Sequence, residues 1–100
     1  MSALRLRIEL TRPARRDVRD ILSFTLQIHG ERQVAEYKRR INSAIKAIAD
    51  NPHIGRKKHG RFGYQTGRHL IFYRVDESSI YVLRILHDRM DAVRHLPEGK

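Results

Sequence analysis

The chain has 100 residues, 21 Lys and Arg against 11 Asp and Glu, a formal charge of +10 and no cysteine. That length accommodates one modest core and no second domain, while the lack of thiols excludes disulfides and thiolate metal sites and fits a reducing cytosol. The charge favours phosphates or an acidic partner, and with neither a signal-peptide pattern nor a run of membrane-spanning length, a cytoplasmic protein with no membrane partner is expected.

Leu4, Leu6, Ile8 and Leu10 alternate with Arg5, Arg7 and Glu9, the period of a half-buried strand. Thr11 is placed to cap a helix and Pro13 fits its first turn. Ala14, Val18, Ile21, Leu22, Thr25 and Ile28 form the inner stripe of that helix until Gly30 ends it. A second helix carries Val34, Tyr37, Ile41, Ala44, Ile45 and Ile48 on one side and stops at Asn51-Pro52. So short a connection makes the two an antiparallel hairpin. Residues 52–63, with Pro52, Gly55, Gly60 and Gly63 among basic side chains, read as a loop, and residues 62–66 as a short strand.

Residues 67–75 and 79–87 form a β-hairpin that sets Val75 opposite Ile80. An unbroken ladder then pairs Leu70 with Ile85 and Phe72 with Leu83 on the core face, leaving His69, Ile71, Tyr73, Val82 and Arg84 on a mixed outer face. Residues 88–96 read as a weak terminal helix or coil. Together these elements predict a single α+β domain over residues 1–100, in the order β-α-α-β-β-β. Its antiparallel sheet has about four strands, the first pairing with the last, and the helical hairpin covers the apolar face.

No acidic residue falls between Asp50 and Asp76, whereas Arg56, Lys57, Lys58, Arg61, Arg68 and Arg74 do. Metal-free RNA cleavage needs a base, a proton donor and cations for the phosphorane; His69, Tyr73 and Arg84 supply such groups, with His87 and Arg89 just beyond the hairpin. The same residues also read as packing, with Tyr73 and His69 closing a sheet face and Arg84 pairing with a carboxylate such as Asp91. The histidines at 29, 53, 59, 69, 87 and 95 show no ligand spacing, and no phosphate-loop or dinucleotide fingerprint occurs, so neither metal nor cofactor is expected. His87, Arg89 and Asp91 leave the last strand at a sheet end, a position suited to contact with a target.

Taken in order, residues 10–18 (LTRPARRDV), 51–55 (NPHIG), 67–75 (GRHLIFYRV) and 82–91 (VLRILHDRMD) resemble the ParE branch of the ParE/RelE toxin superfamily. One departure is that Arg12 separates Thr11 from Pro13, where the family's proline often follows the threonine directly. The resemblance implies a toxin of a type II toxin-antitoxin pair that acts on DNA gyrase without covalent chemistry. It also implies a cognate, ParD-like antitoxin with an acidic C-terminal segment, joined to the toxin in a hetero-oligomer. Arg15, Arg19, Arg39, Arg40, Arg56, Lys57, Arg68 and Arg74 are the candidate cations for that segment. Two alternatives stand beside this reading. One is a RelE-like, ribosome-dependent messenger RNA endonuclease using His69, Tyr73, Arg84, His87 and Arg89. Against it, no tyrosine follows His87, and Leu70 occupies the third-strand position where RelE-like proteins often carry a catalytic arginine. The other is a basic nucleic-acid-binding module.

Overall fold

Residues 6–89 are described by a computed structural model. They form β1 (Arg7–Leu10), α1 (Arg12–His29), α2 (Glu31–Asp50), β2 (Arg56–Lys58), β3 (Arg61–Thr66), β4 (His69–Val75) and β5 (Ser79–His87). Thr11 caps α1 as expected. Its hydroxyl oxygen accepts the Ala14 N–H (3.3 Å) and its O–H donates to the Leu83 carbonyl (3.0 Å), so one side chain both starts the helix and anchors it to β5. Gly30 ends α1 with φ 89° and ψ 176°, a conformation at ease only for glycine, and this lets α2 begin at the next residue. The helices bury Ala14, Ile41, Ala44 and Ile48, with α1 over β5 and α2 over β3.

The sheet has five strands in the order β1-β5-β4-β3-β2, one more than the sequence predicts. The added strand, β2, lies in the stretch read as a loop. Lys58 pairs with Arg61 across a two-residue turn in which His59 (φ 56°) and Gly60 (φ 78°) both take positive φ, the geometry of a tight hairpin. Histidine tolerates this region but lacks the plain turn signal of Asn-Gly or Asp-Gly. The extra strand also corrects the direction of β1, which pairs with β5 in parallel rather than antiparallel, Ile8 beside Ile80 and Leu10 beside Val82. Each hairpin reversal flips every later strand, so with β2 present β5 returns in the direction of β1.

Val75 faces Ile80 as expected, yet the ladder does not continue unbroken. Tyr73 pairs with Val82 and Phe72 with Arg84, which makes Leu83 the extra residue of a β-bulge. Leu70 therefore meets Leu86 rather than Ile85, and Phe72 meets Arg84 rather than Leu83. The assignment of faces is corrected as well. Ile71, Tyr73 and Val82, predicted for the outer face, lie fully buried in the core with Ile80 and Ile85, while Phe72 is half-buried. Both faces of β4 are apolar, so alternation alone does not choose between them.

What favours the observed face is Tyr73. Its hydroxyl donates to the Pro52 carbonyl (2.8 Å) and accepts the Gly55 N–H (3.0 Å), and its ring stacks on Phe62 with centroids 5.2 Å apart. Residue 55 is glycine because a Cβ there would stand 2.8 Å from that hydroxyl oxygen. Around this pair, Ile48, Ile71, Ile80 and Val82 are completely buried, each contributing roughly 1.5–3 kcal/mol.

Candidate functional site

Polar chemistry gathers at the end of the sheet where β3 turns into β4 and β5 finishes. Register places His69 between Thr66 and His87, with the two imidazole centroids 5.4 Å apart in an edge-on arrangement. Tyr37, on the inner stripe of α2, brings its ring to 5.3 Å from His69, and its hydroxyl hydrogen-bonds with Nδ1 of that imidazole. The Thr66 carbonyl, 3.4 Å from the same hydroxyl, is a distant second acceptor. Burial pushes the His69 pKa below the usual histidine value, His87 adding to the effect while Asp88 and Asp17 oppose it. Burial likewise raises the Tyr37 phenol, against the pull of Arg40. Both shifts favour a neutral phenol donating to a neutral imidazole.

The surrounding backbone is fastened. The Asp88 N–H donates to the Arg68 carbonyl (2.8 Å), and the Gln65 amide donates to the Gly67 carbonyl and the Asp88 carboxylate, each at 3.2 Å. One residue further, the Arg89 N–H donates to Nδ1 of His87 (3.1 Å). The turn and the end of β5 are thereby held as one unit.

Between this unit and the C-terminal half of α1 runs a groove of about 710 Å³, walled by Ile21, Phe24 and Thr25 on one side and by Tyr37, Arg68, His69 and His87 on the other. Phe24 is 62% exposed and Ile28 59% exposed. A large exposed aromatic beside an apolar groove is the kind of surface that protein partners commonly cover. Tyr37 reads in sequence as one more core position, which hides it. Phe24 does carry a signal, since it sits about 100° off the inner stripe of α1 on an otherwise polar face.

Of the candidate nuclease residues, the structure brings His69 and His87 together, with Arg89 two residues on and tied to His87 through its backbone N–H. Tyr73 and Arg84 do not join them. Tyr73 is fully buried, with its hydroxyl committed to the Asn51–Gly55 turn, and burial raises its pKa. Arg84 is clasped by Asp17 of α1, Nε to Oδ2 at 2.7 Å and Nη2 to Oδ1 at 3.0 Å, and this hydrogen bonding raises its pKa. The partner carboxylate is thus Asp17; Asp91 lies outside the described residues, as does the terminal segment beyond Arg89. The cations expected to meet an antitoxin are spread over α1, α2, β2, β4 and the turn before β4. Arg15 and Arg19 lie on the exposed side of α1, Arg39 pairs with Glu36 on α2 (2.8 Å), and Arg40 is exposed on the same helix. Arg56 and Lys57 sit on the edge strand β2, and Arg74 lies over the Tyr81 ring at 4.9 Å. Of these, only Arg68 lines the groove. Among the described residues no group of three or more His, Asp or Glu is placed to hold a metal, and no helix is long and apolar enough to cross a membrane.

Two solved toxin-antitoxin systems share this architecture. The chromosomal ParDE system from P. aeruginosa aligns with a TM-score of 0.73 at 20% identity, covering 82% of this chain and 95% of that one. The toxin-antitoxin complex RelBE2 from Mycobacterium tuberculosis aligns with a TM-score of 0.60 at 21% identity, covering 84% and 99%. The fold is therefore that of the ParE/RelE toxins. Toxin ParE1 of Caulobacter vibrioides is 36% identical over 91 residues, 87% of this chain and 94% of the relative. Toxin ParE1 of Mycobacterium tuberculosis is 39% identical over 92 residues, again 87% and 94%. Residues 8–92 match the family described as the ParE toxin of the type II toxin-antitoxin system parDE, and the chain belongs to that family.

Proposed function

We propose that this toxin arrests growth by binding DNA gyrase without covalent chemistry, and that an antitoxin segment seated in the groove beside α1 holds it inactive. The observation that carries the non-enzymatic reading is the commitment of Tyr73 and Arg84, the proton donor and the cation of the candidate nuclease set, to holding the fold. The antitoxin reading is supported by the groove, where Ile21 and Phe24 suit apolar anchors and Arg68 suits an acidic side chain. His87 lines that groove and accepts the Arg89 backbone N–H, so a segment bound there covers His87 and lies beside Arg89, two of the residues proposed to touch the target; the third, Asp91, lies outside the described residues. Neutralisation is then occlusion.

The test is a gyrase supercoiling reaction run beside a translation extract, each receiving the purified chain. Supercoiling is expected to stop and messenger RNA to stay intact; cleaved message with untouched gyrase overturns the reading in favour of a nuclease. His87→Ala with Arg89→Ala is expected to abolish growth inhibition in a folded protein. Phe24→Asp is expected to leave growth inhibition in place and weaken antitoxin binding by roughly thirtyfold, about 2 kcal/mol, as for the loss of an anchoring aromatic.

A further inference from the structure

We propose that the exposed face of α1 is a separate binding surface for the phosphate backbone of duplex DNA. Arg12, Arg15, Arg16 and Arg19 recur at helical spacing on the first two turns and together line a recess of about 370 Å³. All four are exposed, and among the described residues Arg12, Arg16 and Arg19 form no ion pair. The carboxylate that falls within their run, Asp17, is taken by Arg84. Arg15 uses one donor on the Leu10 carbonyl (3.2 Å) and so is partly a structural residue. Four like charges within about 10 Å of helix axis repel one another. An equal length of B-DNA carries about six phosphates.

Two features favour a nucleic-acid backbone over an acidic peptide. The recess is walled by arginine alone, so a folding peptide finds no apolar anchor there, in contrast to the groove at the other end of α1. Every cation is an arginine, whose planar fork meets phosphate oxygens in pairs where lysine offers a point charge. By comparison, the recess on α2 mixes Lys38, Arg39 and Lys46 with Ala35, Asn42 and Ser43, and its Arg39 is already paired with Glu36. None of the four arginines lines the apolar groove, so DNA and a groove-bound partner can be held together.

The experiment measures binding of the full chain to a fluorescent duplex of about twenty base pairs by anisotropy, over about 50 to 300 mM salt. Arg12→Ala/Arg16→Ala/Arg19→Ala, which spares Arg15, is expected to weaken binding at least about tenfold near 100 mM salt and to flatten the log–log salt slope by about 3. The charge-matched Lys38→Ala/Arg39→Ala/Lys46→Ala is expected to stay within about twofold of the parent. Equal weakening by both would mean diffuse charge and overturn the proposal. It is equally overturned if the parent fails to bind near 100 mM salt, or if the arginine variant loses poly-glutamate binding while keeping DNA. Should the triple variant not fold, Arg16→Ala and Arg19→Ala singly are each expected to lower the slope by about one, and unchanged slopes would sink the idea. No gyrase is present, so the result is independent of the toxin's target.

Discussion

A single oxygen, the Tyr73 hydroxyl, decides more of this structure than its size suggests. It bonds to both ends of the turn that leads into β2, adding to the edge contact of His53 with Phe62, and it sits where added bulk at Gly55 is not tolerated. Tyr73→Phe keeps the ring and strands the Gly55 N–H and the Pro52 carbonyl, at a cost of about 1–3 kcal/mol. The expected outcome is a thermal midpoint lowered by roughly 5–15 °C, with growth inhibition per folded molecule unchanged. Lost toxicity at an unaltered midpoint would instead give the hydroxyl a functional role. Thr11 and Gly30 are legible in the sequence because a cap and a helix stop are settled within a few residues. Tyr73 is not, since its acceptor and donor lie 21 and 18 residues away along the chain.

The helices and the final hairpin follow from their periodicity, and the Val75–Ile80 register follows from a short loop. Beyond that loop the bulge at Leu83 displaces every later pair, and no pattern in β5 announces it. What sustains it comes from another element: Asp17 Oδ2 accepts the Ile85 N–H (2.9 Å) while its carboxylate grips Arg84, whose side chain is 24% exposed against 12% for Asp17. Asp17→Ala removes the acceptor for Ile85 and the bidentate partner of Arg84, a loss of about 3 kcal/mol for so nearly buried a pair. Chemical denaturation measures it; a change below about 1 kcal/mol would show that the bulge stands without Asp17. The groove is equally hidden in the sequence, because its walls come from α1, α2 and two strands and only the misplaced aromatic Phe24 hints at it.

Over the whole molecule, the state of the sheet end couples stability to acidity. His69 is held neutral beside Tyr37, His87, Asp88 and Arg68, with its pKa below the ordinary value. The unfolded chain therefore takes up a proton first, near about pH 6.5, so this contribution is intact above that point and is lost as the pH falls below it. The thermal midpoint is expected to drop between about pH 7 and pH 5, and His69→Gln to flatten that drop. A parent and variant with parallel profiles would remove His69 from the account.

Among the described strands β1 has a single ladder partner, β5, so residues 7–10 join the sheet only when residues 79–82 are there to receive them. In synthesis the helical hairpin ends at Asp50, before β3 is made to cover α2 and well before β5, from Ser79, is made to cover α1. The sheet end that brings His69 against His87 therefore assembles last, only once β5 has been made.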